Sequence, residues 1–171
     1  MPDRKLYGDA RLIKERLSQM QLMEESEGGW AAVYKGATAF WMKCYTMAGE
    51  QGGGYELLIR LPLPSTQDLI EIAVDSPFED EAVAAVMRLL EEEAVEHKDF
   101  REKLVQRLGQ ISLESITQEQ KQRLRKVITL SSLVDPTNKR EVKGKTAEQV
   151  QKDAAYFKAV SERTRQLLLK L

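Results

Sequence analysis

Apolar and polar positions along this chain follow two periods, and the changes between them mark its organisation. The segment from Trp30 to Asp75 carries strand-like patterning and most of the aromatic residues. Two apolar runs, Ala39 to Met47 and Tyr55 to Leu63, flank residues 48–54, where Gly49, Gly52, Gly53 and Gly54 supply the conformational freedom a reversal needs. This pattern predicts a hairpin with an exposed, glycine-rich tip. Leu69 to Val74 sets Ile70, Ile72 and Val74 against Glu71 and Asp75, which predicts a further strand with one wet face. Trp30 to Tyr34 adds a short strand before Gly36, and Pro62 and Pro64 end the second hairpin strand because proline cannot donate to a ladder. The expected core is an antiparallel β-meander of three or four strands.

Helical periodicity lies on both sides of the meander. Leu6, Ala10, Ile13, Leu17 and Met20 recur at spacings of four and three behind Pro2, and Leu22 and Met23 widen that stripe until Ser26 to Gly29 breaks it. After the meander, Asp75-Ser76-Pro77 followed by Glu79, Asp80 and Glu81 predicts a helix start, with Val83, Val86, Met87, Leu90 and Ala94 as the buried face. That helix is expected to reach about Glu96 and to continue, straight or bent, to Gly109. Thr117 with Gln120 reads as a capping box opening a further helix whose apolar side is Leu124, Val127, Ile128 and Leu130. Asp135 to Asn138 is a turn, and Thr146 opens a last helix running nearly to Leu171. The fold class is therefore α+β, with an N-terminal helix, a short meander and a helical C-terminal half. One domain over 1–171 is expected, with 1–111 the helix-sheet-helix part and 112–171 a helical extension.

Composition narrows the class. The chain has 171 residues, 42% hydrophobic and 31% charged, with no apolar run long enough to span a bilayer. Asp3, Arg4 and Lys5 precede an amphipathic segment, so no secretory leader is read and the cytoplasm is the expected location. Cys44 is the only cysteine, which excludes an internal disulfide. The net charge of −1 hides an asymmetry: residues 76–99 sum to −6 and residues 100–145 to +6.

Candidate chemistry is sparse. The glycines at 49–54 precede a strand and lack the lysine and helix of a phosphate loop. His97 stands beside Glu91, Glu92, Glu93 and Glu96, but a single histidine meets no helical metal motif, and a solvated acidic face is expected. Lys43 neighbours Cys44, yet adjacent strand residues point to opposite faces, so an inert thiol is expected. No catalytic, cofactor or metal residue is assigned. Trp30, Phe40, Trp41, Tyr45 and Tyr55 are read chiefly as core, with both sheet faces needing cover.

Two surfaces remain. In the last helix Val150, Ala154, Phe157, Ser161, Thr164, Leu168 and Leu171 recur at spacings of four and three, the period of a packing seam. From it Phe157, Thr164, Leu168 and Leu171 are assigned as partner-binding residues, with packing inside the fold as the competing role. Lys121, Arg123, Arg125, Lys126, Lys139, Arg140, Lys143 and Lys145 form a basic segment able to neutralise phosphates, although no stacking aromatic is interleaved between Lys121 and Lys145. The last four are expected to be exposed and dispensable for folding. The expected function is a non-catalytic protein-protein interaction or assembly protein, an adaptor, chaperone-like protein or complex subunit, binding itself or another protein. A nucleic-acid-associated protein working through residues 121–145 is the alternative, and an enzyme of unknown class the second.

Overall fold

The computed structural model of the chain describes residues 3–46 and 54–171. Its strands are β1 (Leu6–Tyr7), β2 (Gln21–Glu25), β3 (Ala31–Lys35), β4 (Phe40–Tyr45) and β5 (Glu56–Arg60). Its helices are α1 (Ala10–Leu17), α2 (Thr66–Asp75), α3 (Glu79–Glu96), α4 (Arg101–Gly109), α5 (Gln118–Leu130) and α6 (Ala147–Leu168). The chain divides into two compact units, Met1–Lys98 and Asp99–Leu171. The first holds the whole sheet and the second is helical. Among the described residues no helix is long and apolar enough to cross a membrane.

In the first unit the strands lie in the order β1-β5-β4-β3-β2, all neighbours antiparallel. The meander predicted from the sequence is β2 to β5, and β1 adds a fifth strand beside β5. Because β1 and β2 occupy opposite edges, α1 connects them across one face. There Ile13 packs with Tyr7, Trp41 and Leu58 in a cluster bordered by Leu12, Leu17 and Met20. The pleat sends Phe40 to the other face, where α3 runs along β1 and packs on α2. Helices cover both sides of β5, so Leu57, Leu58 and Ile59 are all buried.

The acidic first turn of α3 does more than complement a helix dipole. Glu81 accepts from the Lys5 and Leu6 amides at 2.8 and 3.2 Å and from the Ser76 hydroxyl at 2.6 Å. Asp80 takes the Gly8 amide at 3.1 Å and the Arg4 guanidinium at 2.6 Å. Carboxylates thus satisfy donors along β1, closing that edge of the sheet.

Three expectations are corrected in this unit. Leu69 to Val74 is not a strand but the body of α2, which buries Leu69, Ile70 and Ala73 at helical spacing. Ser65 and Asp68 form the capping box that starts it. The N-terminal helix is shorter than predicted: Leu6 belongs to β1, Asp9 caps α1, and Leu22 and Met23 lie in β2. Finally, Asp75 ends α2, so α3 begins later, at Glu79. Its buried face is Glu81, Ala82, Ala84, Ala85, Val86, Leu89 and Glu92, of which only Val86 was expected. Of the predicted glycine-rich tip, residues 48–54, all but Gly54 lie outside the described residues.

The second unit packs α4 against α6, with α5 contributing Leu124, Val127 and Ile128 to the interior. Capping boxes Thr117–Gln120 and Thr146–Gln149 open α5 and α6. Arg101, almost wholly buried, donates to the Ser131 carbonyl at 2.9 Å, so its charge meets the negative end of α5. Hydroxyls that interrupt the apolar stripe of α6 are satisfied locally: Ser161 donates to the Val134 carbonyl at 2.6 Å, and Thr164 to that of Val160 at 2.7 Å.

Candidate functional site

The two edges of the sheet differ. β1 is closed by Asp80 and Glu81, whereas all five residues of β2 are exposed. An edge strand carries N–H and C=O groups directed away from its one neighbour, and it is a template for another strand. The β2–β3 register is Gln21↔Lys35, Leu22↔Tyr34, Glu24↔Val33 and Glu25↔Ala32, so Met23 is the residue the pairing skips. Such a bulge twists an edge and interrupts regular self-pairing.

Side chains at this edge are more apolar than an ordinary surface. Leu22 and Met23 are 49% and 50% exposed, and Trp30, just ahead of β3, is 71% exposed. Trp30 follows the short 3-10 turn Glu27–Gly29, in which Gly28 and Gly29 take φ of 81° and 74°. This left-handed backbone is open to glycine and strained for most other residues. The turn brings the chain back so that the Ser26 amide reaches the Ala31 carbonyl at 2.8 Å. Glu24, Glu25 and Glu27 surround the apolar groups with negative charge. The sequence reading placed Leu22 and Met23 in a helix and missed this surface.

Residues singled out in α6 are divided by burial. Phe157 and Thr164 lie inside the second unit, while Leu168 and Leu171 are half-buried. Leu171 joins Leu108, Leu113, Leu124, Ile128 and Leu167 around a small apolar recess. The side of α6 that carries the predicted seam therefore packs largely within its own unit.

The basic segment is divided too. On α5, Arg125 and Lys126 are exposed and Lys121 and Arg123 half-buried. Lys139 pairs with Asp135 at 2.8 Å, Lys145 with Asp153 at 2.6 Å, and Arg140 with Asp153 at 2.7 Å and Asp99 at 3.4 Å. Hydrogen bonds from Lys145 and then Arg140 hold the Asp153 carboxyl below its ordinary range. Arg140 also lies 4.4 Å from the Tyr156 ring centre, and burial followed by the hydrogen bond to Asp99 pushes the Tyr156 phenol up. Lys139, Lys143 and Lys145 are exposed as expected, but Arg140 is half-buried inside this network. Pairing of three of these four cations with carboxylates reduces the charge offered to phosphates.

The remaining candidates have local roles. His97 adopts φ 56° as the left-handed residue that terminates α3. Beside it, Arg88 pairs with Glu91 at 2.9 Å and Glu96 at 3.5 Å, and Thr66 donates to Glu92 at 2.9 Å. Burial, then the nearby Glu91 carboxylate, pushes the Cys44 thiol up to about 11. Among the described residues no group of three or more metal-ligating side chains is gathered. No protein-family model matches the chain, and no curated protein or solved structure is significantly similar to it.

Proposed function

We propose that the chain is a non-catalytic interaction or assembly protein that takes up an extended segment of another polypeptide as a sixth strand beside β2. The observation that carries this reading is the contrast between the edges, β1 closed by carboxylates and β2 open with Leu22 and Met23 half exposed. Main-chain hydrogen bonds supply affinity in strand addition, and alternate side chains supply specificity. The charge at the edge favours a segment in which basic residues alternate with apolar ones, since Glu24, Glu25 and Glu27 are exposed there. The same glutamates disfavour β2 pairing with its own copy.

A soluble peptide alternating lysine and valine is a suitable probe, read by amide hydrogen exchange on the whole chain. It should slow exchange at residues 21–25, and Met23→Pro, at the position the register skips, should abolish that effect. Protection confined to α6, or none at β2, would defeat the reading. A concentration-dependent dimer protected at residues 21–25 without peptide would replace the basic partner by a second copy.

A further inference from the structure

On the face of the sheet crossed by α1, the first unit opens a cleft of about 370 Å³. Tyr7, Trp41 and Phe78 supply aromatic surface, and Arg4, Arg16 and Arg60 supply three guanidinium groups. Tyr7 and Trp41 meet at 5.7 Å with their planes tilted by 54°. Arg4 lies over Tyr7 at 4.0 Å and over Phe78 at 4.4 Å, which fixes its plane against both rings. Gly36 lies at the rim, where an added Cβ would come within 3.2 Å of the Trp41 indole atoms Cδ1 and Nε1.

The three arginines are not equivalent. Arg4 is neutralised by Asp80 at 2.6 Å, and Arg60 is paired with Asp3. Arg16 has no carboxylate partner among the described residues; its guanidinium lies 5.5 Å from the Tyr7 ring. The Nε–H groups of both Arg4 and Arg16 are buried without an acceptor. A buried donor left unpaired is costly. With two of the three cations neutralised, the cleft carries about one positive charge beside an aromatic wall.

We infer that this cleft binds a small aromatic monocarboxylate, with the carboxylate on the guanidinium of Arg16 and the ring against Tyr7 and Trp41. A planar carboxylate matches the guanidinium fork and balances a single positive charge, whereas a phosphate dianion would leave negative charge over. A cleft of this size with a few convergent polar groups falls within the range of small-molecule sites. No residue of β2 lines this cleft, so its test stands apart from that of strand addition.

The probe is 2-naphthoate, titrated into the full chain while the Trp41 indole and arginine Nε–H signals are followed by NMR. Both the Trp41 and Arg16 signals should shift saturably. Arg16→Gln and Arg16→Lys, of which the second retains the charge but not the Nε–H, should each weaken binding about tenfold or more. Either variant that keeps the native spectrum decides the point. Equal binding of neutral 2-naphthamide would reduce the cleft to an apolar slot and overturn the inference. So would acetate or inorganic phosphate binding as tightly as 2-naphthoate, or undiminished binding in an Arg16 variant.

Discussion

Replacing Phe157 by alanine separates the two roles that the sequence leaves open for α6. The ring is 2% exposed, meets Tyr156 edge-on at 5.2 Å, and lies 5.6 Å from the guanidinium centres of both Arg101 and Arg140. Burying a phenyl group contributes about 1.5–3 kcal/mol by transfer alone, and the cavity left by truncation raises the cost to about 3–5 kcal/mol. Single domains hold only about 5–15 kcal/mol, so Phe157→Ala should sharply lower the urea midpoint of the second unit. Leu168→Ala, at a half-buried position, should cost clearly less. Helical circular dichroism reads the loss, and fluorescence follows the first unit separately because Trp30 and Trp41 are the only tryptophans and both belong to it. For a side chain buried in its own unit, the loss is independent of protein concentration. A loss that grows on dilution, or one below about 1 kcal/mol, would refute this reasoning and return Phe157 to an intermolecular seam.

Two further outcomes are expected in the sheet unit. Gly8→Ala should destabilise it by about 1–3 kcal/mol, since the new Cβ would lie 2.4 Å from the Tyr55 hydroxyl and 2.8 Å from the Asp80 backbone carbonyl. Adding Tyr55→Phe should restore only part of the loss, because the carbonyl cannot swing aside as a side-chain tip can; full restoration in urea melts would show that the backbone contact was misjudged. Cys44 should react with iodoacetamide roughly 100-fold more slowly than a free thiol at pH 8, because raising its pKa from 9.0 to about 11 removes thiolate by that factor. Burial disfavours the charged form, so the rate should still climb steeply between pH 9 and 11 and be half-maximal only at about 11; a half-maximal rate at pH 9 would contradict a buried thiol.

How far the fold is legible in the sequence depends on whether one signal dominates locally. Thr117 with Gln120 starts α5 as read, since the cap and the apolar period agree. Around Leu69 to Val74 they conflict: Ile70, Ile72 and Val74 alternate as in a strand, while Leu69, Ile70 and Ala73 lie together on a helix. Ser65 and Asp68 decide in favour of the helix by satisfying donors at its start, a local cue stronger than six residues of alternation. β1 has two residues, too few to show a period, and it exists because Leu6 and Tyr7 pair with Ile59 and Leu58. In β2 the skipped Met23 breaks the alternation, so Leu22 and Met23 look like the continuation of a helical stripe.

The candidate sites are less legible than the elements, for a reason that Arg4, Arg16 and Arg60 illustrate. No spacing links them, because they lie before β1, on α1 and at the end of β5 and meet only when β1 docks on β5 and α1 crosses the sheet. Each looks like an ordinary surface cation, and so do Lys139 and Arg140. What separates them is pairing: Lys139 has Asp135 four residues earlier, a relation open to sequence, whereas Arg140 finds Asp99 at a distance of 41 positions and Arg16 finds no carboxylate among the described residues. An unpaired charge with a buried, unsatisfied Nε–H is a property of the assembled cleft, and no local pattern encodes it. The basic segment stood out because its charges are dense along the chain, yet density in sequence measures neither exposure nor neutralisation. Arg16 carries the stronger prospect of a ligand because its one charge has no carboxylate partner among the described residues.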